Sequence, residues 1–123
     1  MTPPATLQES LLIVDDRAEV VRALERLMSL YFRQVLVATT PDEAEALLAR
    51  YQPEHLLCDY RLGQDDALAT SLIPRWREAN PTLRRVALMT GGGAAAVVPC
   101  AAVDEIFNKP LDVSLVIEFF SRR

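Results

Sequence analysis

Two cysteines, one histidine and four glycines in 123 residues leave little material for several kinds of chemistry. Cys58 and Cys100 lie in apolar surroundings without a second ligand at metal spacing, which argues against a zinc site or a disulfide framework and for reduced thiols. The lone histidine, His55, opens an apolar segment that ends in Asp59, too far along a strand to act on it, and it reads as a surface or edge residue rather than a general base. Basic residues are in the minority, 13 against 17 acidic ones, for a formal net charge of −4. A grip on a nucleic acid backbone needs a basic stripe that displaces counterions, so no direct nucleic acid partner is expected. Long hydrophobic runs are missing as well: no stretch approaches the ~18 apolar residues that cross a bilayer, and "MTPPATLQES" has neither the basic start nor the apolar segment of a secretory signal. The expectation is a cytoplasmic chain without membrane insertion. Repeats, linkers and low-complexity tracts are also lacking.

What is present is hydrophobic residues, 50% of the chain, enough for one compact domain that buries roughly two thirds of its unfolded surface. We divide it into an amino-terminal extension over residues 1–9 and a domain over 10–123. Short apolar runs, "SLLIV" (10–14), "VLVA" (35–38), "HLLC" (55–58), "VALM" (86–89) and "EIF" (105–107), alternate with segments of helical period. The runs are apolar on consecutive residues, the pattern of strands covered on both faces. Between them Val21, Leu24, Met28 and Tyr31 form one helix face, and Ala44, Leu47, Leu48 and Tyr51 another. In "TPDE", Thr40 caps the second helix, Pro41 suits its first position and Glu43 closes a capping box. A third helix within 68–79 turns Leu72, Ile73 and Trp76 inward. Its Pro74 favours a start near Thr70 or Ser71, where the missing N–H costs nothing. A last helix over 112–121 carries Leu115, Val116, Phe119 and Phe120. Strands alternating with helices predict an α/β fold: a doubly wound five-stranded parallel sheet with helices on both faces.

In such a sheet ligands bind beyond the carboxyl ends of the strands. Asp15 and Asp16 follow the first strand, Asp59 ends the third, Thr90 ends the fourth and Lys109 follows the fifth, so five polar residues converge on one rim. Three carboxylates gathered there repel by about 1 kcal/mol per pair in water and about 4 at an effective dielectric of 20, for a 4 Å separation. They need a cation. An all-oxygen donor set with no His or Cys suits Mg²⁺, which keeps several waters and commonly engages phosphate. With Mg²⁺ and Lys109 the three negative charges are balanced, and the pocket favours an electrophilic phosphoryl group. The carboxylate that ends its own strand and faces both cations, Asp59, is the best-placed nucleophile.

"LLIVDD", "LLCDYRL", "ALMT" and "NKP" together resemble the receiver domain of two-component response regulators, the CheY-like family within the flavodoxin-like folds, over nearly the whole chain. The resemblance implies that Asp59 is the phosphoacceptor for a histidine kinase or phosphotransfer protein. It implies Mg²⁺ bound by Asp16 directly, by Asp15 mainly through water, by Asp59 and by the backbone carbonyl of Arg61. Lys109 and Thr90, assisted by the Gly91 N–H, would hold the phosphoryl oxygens. Pro110 implies a cis Lys109–Pro110 bond. The function implied is a Mg-dependent phosphorelay receiver whose phosphorylation switches protein–protein interactions with a downstream effector. It is a signalling module rather than an enzyme with an external substrate. The alternative is a non-switching receiver that serves as an interaction scaffold.

The chain departs from the family pattern in three places. Relatives usually carry Tyr or Phe three residues before the lysine, where this chain has Ile106, with Phe107 one place later. The interval from Thr90 to Lys109 is short, and "AAAVVPCAA" with Pro99 predicts a short or irregular fourth helix across 94–102. "GQDDA" (63–67) lacks the common proline and glycine of the loop after the phosphoacceptor, and Gly63 stands in to relax the turn. Two other classes fit worse. A haloacid-dehalogenase-type phosphatase needs a second acid where Arg61 stands, and a nucleotide or flavin binder needs a phosphate loop that "GGGAAA" does not supply. Glu9 and Arg17 are further candidates for modulating the pocket.

Overall fold

A computed structural model describes residues 7–62, 68–92 and 101–121 of the chain. The five apolar runs form the strands β1 (Leu7–Val14), β2 (Phe32–Ala38), β3 (His55–Asp59), β4 (Arg85–Thr90) and β5 (Glu105–Asn108). Among the described residues the helices are α1 (Ala18–Met28), α2 (Pro41–Tyr51), α3 (Leu68–Ala79) and α4 (Val113–Ser121). Every strand pairing is parallel, in the order β2-β1-β3-β4-β5. The order reverses between β1 and β3, so the loops after these two strands diverge and leave a crevice at their carboxyl ends.

The consecutive apolar pattern is explained by a core on each side of the sheet. Leu11, Leu12, Ile13 and Val14 of β1 are all fully buried. Leu12 and Val14 share one cluster with Leu48 of α2 and Trp76 of α3, while Leu11 and Ile13 share the other with Val21 and Met28 of α1 and Phe120 of α4. Each such side chain taken out of water contributes about 1.5–3 kcal/mol, which is why β1 and β3 hold the centre of the sheet. Among the described residues, no helix is long and apolar enough to cross a membrane.

Several local expectations are corrected. The strands β1 and β2 start three residues before their apolar runs, with Leu7 opposite Phe32, because backbone pairing continues past those runs to the buried Phe32. Helix α1 stops at Met28, so Tyr31 packs from the following turn. Tyr51 is 41% and Leu115 53% exposed, each at the edge of its helix face. The Thr40 hydroxyl accepts from the Glu43 N–H at 3.1 Å, but the Glu43 carboxylate reaches back to Thr39, accepting from its N–H and its hydroxyl at 2.8 Å each. Those bonds hold the Glu43 carboxyl below its ordinary pKa. Helix α3 starts at Leu68, not at Thr70 or Ser71, and Pro74 therefore lies inside it. The lost backbone bond is tolerated because Leu72, Ile73 and Trp76, on either side of it, are buried in the core. Trp76 also donates from Nε1 to Glu45 of α2 at 3.1 Å, tying the two helices together. His55 is not a surface residue. It is fully buried and bonded to Glu9 at 3.0 Å, at the amino end of β3. Of the expected irregular helix across 94–102, residues 94–100, with Pro99 and Cys100, lie outside the described residues, as does the Gly63 turn over 63–67, while Ala101 and Ala102 form a turn.

Candidate functional site

The site grows out of the ends of β1, β3 and β5. After Val14 the Asp15 N–H donates to the Ala38 carbonyl at 3.1 Å, which prolongs the β1–β2 pairing by one residue and holds Asp15 fully buried. Its carboxylate accepts from the Arg17 N–H at 3.0 Å, turning the chain into α1, and its second oxygen accepts from Lys109 Nζ at 3.0 Å. Asp16, next along, is exposed. Asp59 closes β3 opposite Met89, and the Tyr60 N–H donates to the Met89 carbonyl at 2.8 Å, so strand pairing fixes the backbone on either side of the Asp59 carboxylate.

Lys109 follows β5. Its N–H donates to the Thr90 carbonyl at 2.8 Å, and its bond to Pro110 is cis, as expected. From there Nζ spans two acids, 3.0 Å from Asp15 and 3.1 Å from Asp59. Asp15, Asp16 and Asp59 each offer a carboxylate oxygen, and these atoms lie within 4.8 Å of one another. A cavity of about 620 Å³ opens above them, lined by Asp16, Arg17, Asp59, Arg61, Gly91, Gly92 and Lys109.

The electrostatics favour a cation. Asp59 is only 6% exposed, and burial together with the Asp15 charge pushes its carboxyl above the ordinary value of 3.8, against the pull of Lys109 and of the Arg61 N–H. Burial draws Lys109 down, but its bonds to Asp15 and Asp59 and their charges outweigh this, leaving it above 10.5. One ammonium therefore serves two buried carboxylates, with a third at the rim. The all-oxygen set of three acids fits a hard divalent ion such as Mg²⁺, which takes one or two carboxylates and keeps several waters. The thiol of Cys58, beside Asp59, is pushed well above 9.0 by burial and by the charges of Asp59 and Asp15. It stays protonated.

Thus Asp15, Asp16, Asp59 and Lys109 come together, and Arg61 lines the same cavity. Thr90 stands at the end of β4, 3% exposed, its hydroxyl accepting from the Gly92 N–H at 3.1 Å. Sequence reasoning left Arg17 open and did not single out Gly92. Arg17 lines the cavity, a position signalled only by its place after the paired acids, and Gly92, not named before, supplies the amide that holds Thr90. Glu9, the other open candidate, lies at the opposite end of the sheet with His55. Ile106 sits across from Leu88 in the α2–α3 layer, on the Thr90 side of the sheet. Phe107 points the other way and meets Phe119 edge to face at 5.9 Å.

No family model and no curated protein sequence matches the chain. Solved structures do. A CheY-like response regulator receiver domain from Methylobacillus flagellatus superposes with a TM-score of 0.76 at 18% identity, covering 94% of this chain and 97% of that one. The signal receiver domain of an HD domain-containing protein from Pseudomonas fluorescens gives 0.75 at 21% identity, over 93% and 94%. A response regulator protein from Burkholderia pseudomallei, solved with a phosphorylated aspartic acid, a calcium ion and citrate, gives 0.71 at 24% identity, over 89% of this chain and 65% of that one. At these identities the likeness is one of fold, and the chain has the flavodoxin-like, CheY-like fold of response regulator receiver domains.

Proposed function

We propose that the protein is a cytoplasmic phosphorelay receiver in which Asp59 accepts a phosphoryl group from a phosphohistidine on a sensor kinase or phosphotransfer protein. A carboxylate oxygen of Asp59 attacks phosphorus, the donor N–P bond breaks, and its electron pair returns to the imidazole nitrogen. Lys109 supports the transfer: its ammonium lies 3.1 Å from Asp59 and neutralises charge that spreads onto the phosphoryl oxygens. Mg²⁺ would be held by Asp15, Asp16, Asp59 and the backbone carbonyl of Arg61, and when bound it supplies the remaining positive charge. Thr90 would leave its bond with Gly92 to meet a phosphoryl oxygen, with Gly91 at the loop offering its N–H. The adduct then changes which effector protein the domain binds. The phosphorylated aspartic acid and calcium ion of the Burkholderia pseudomallei protein, on the same fold, support this reading.

The observation that carries it is the surplus of acid: Asp15 and Asp59 share the one ammonium of Lys109 and Asp16 stands exposed beside them, three carboxylates with oxygens within 4.8 Å of one another whose repulsion a further cation would relieve. Incubation with acetyl phosphate and Mg²⁺, followed by intact-mass analysis, tests it. The wild type is expected to gain one labile phosphoryl group and the Asp59→Asn variant none. A wild type that gains nothing would sink the proposal.

The position of Ile106 favours a second reading, a receiver that acts as a scaffold without switching. A branched aliphatic packed in the α2–α3 layer has no ring to rotate as Thr90 moves, and Phe107 is committed to the other face. Resonances of β5 that stay still while the Asp59 neighbourhood shifts on phosphorylation would favour it.

A further inference from the structure

The amino end of the sheet holds a titratable group that the phosphoryl chemistry does not use. His55 is fully buried between β1 and β4, paired with Leu11 on one side and Arg85 on the other. Its Nε2 lies 3.0 Å from the Glu9 carboxylate, which only accepts, so Nε2 carries the hydrogen. The other ring nitrogen, Nδ1, is buried without a hydrogen-bond partner. Around it stand aromatic rings: Phe120 of α4 at 5.1 Å between centroids and Phe32 of β2 at 6.0 Å. Phe120 also contacts Phe32 and Phe119, and its carbonyl accepts from Arg85 at 3.2 Å. The carboxyl-terminal turn of α4 is thus seated on the imidazole.

We propose that His55 is a pH-sensitive latch that holds the end of α4 against the sheet while its ring is neutral and releases it on protonation. A neutral ring leaves only a bare lone pair at Nδ1. A protonated ring places an N–H⁺ there, in an apolar pocket without an acceptor, and the faces of the phenyl rings offset only part of the cost of burying that charge.

The charged groups that face His55 are Glu9 from β1, Arg84 just before β4 and Arg85, its first residue. Glu9 attracts the imidazolium, but it is shared with Arg84 at 2.7 Å, and both arginines repel it. β2 and α4 present Phe32 and Phe120, and Glu54, the preceding residue, directs its carboxylate to Ser10. Burial is the largest influence and, with the arginines, holds the ring below the ordinary 6.5 despite Glu9. A folded-state value below the unfolded one means that the unfolded chain binds the proton first. The docked state therefore loses stability as pH falls below 6.5, by up to tenfold in the opening equilibrium per pH unit until the folded-state ring titrates.

The chain has one histidine, so its imidazole signals are unambiguous in an NMR titration of the full protein. The latch predicts a midpoint below 6.5; a midpoint at or above it overturns the proposal. Hydrogen exchange between pH 7.5 and 5.5, corrected for intrinsic rates, is expected to show α4 amides losing protection at low pH while β1 and β3 keep theirs. Uniform loss across the sheet would overturn a local latch. His55→Phe, which fits the aromatic pocket and cannot titrate, should flatten the α4 response, and an unchanged response refutes the role of His55. Should that variant not fold, the wild-type midpoint and exchange pattern still decide. None of these readouts depends on phosphorylation.

Discussion

The two rims of the sheet each gather acids and bases within a few ångströms, and they treat them in opposite ways. At the amino rim Glu54 and Glu9 are both matched. Glu54 accepts from the Ser10 N–H at 2.6 Å and from its hydroxyl at 2.7 Å, and these bonds hold it below its ordinary 4.5 against the opposing effect of burial. Glu9 is taken up by Arg84 and His55. At the carboxyl rim Asp15 and Asp59 divide a single lysine, Asp16 stands beside them, and Asp59 is pushed above 3.8. The lesson is one of sign. Hydrogen bonds from Ser10 hold Glu54 low despite its burial, whereas burial, with the Asp15 charge added, holds Asp59 high despite Lys109, a burden that an incoming cation relieves.

The comparison can be tested by breaking each rim in turn. Removing the lysine should hurt function most: Lys109→Ala is expected to slow phosphorylation of Asp59 by acetyl phosphate about 100-fold, as for other preorganised donors, read by time-resolved intact mass. At the other rim Glu54→Ala should leave phosphorylation unchanged and cost about 2 kcal/mol in urea unfolding, since the buried Ser10 N–H and hydroxyl lose their acceptor. Equal effects of the two variants on phosphorylation would erase the distinction between the rims. Mg²⁺ at ten times its dissociation constant should stabilise the wild type by about 1.4 kcal/mol, and Asp59→Asn less, as measured by thermal unfolding.

The smallest effect is the most diagnostic. Because the folded-state pKa of Asp59 is raised, its ionised form burdens the native state at neutral pH, and that burden lifts as pH falls through the folded-state value towards 3.8. Without metal, Asp59→Asn is therefore expected to be about 1 kcal/mol more stable than the wild type at pH 7, with the gap closing as pH falls towards 3.8. A variant less stable than the wild type at pH 7 would mean that Lys109 already satisfies the acids.

Much of the architecture was legible because its signals are local. Apolar runs of four or five residues separated by segments of helical period require parallel strands with crossovers, and the rim residues follow from the strand ends, as Asp15, Asp59 and Lys109 do. The start of α2 at Thr40 was equally plain. Features that depend on a distant neighbour were not. Pro74 looks like a helix start when only its missing N–H is counted, and it lies inside α3 because the core on both sides of it outweighs one lost bond. Glu43 turned to Thr39 rather than Thr40, a choice between two adjacent donors that pattern does not make.

His55 marks the boundary most clearly. A polar residue at the start of a strand carries no sequence mark of burial, and its surroundings come from residues 23 positions before it and 65 after it, Phe32 and Phe120. By itself the sequence determined the doubly wound sheet and the acidic rim, because both follow from periodicity and from which residues end each strand. Only tertiary structure decided which charges are neutralised, since burial and pairing depend on distances between chain segments that the order of residues does not encode.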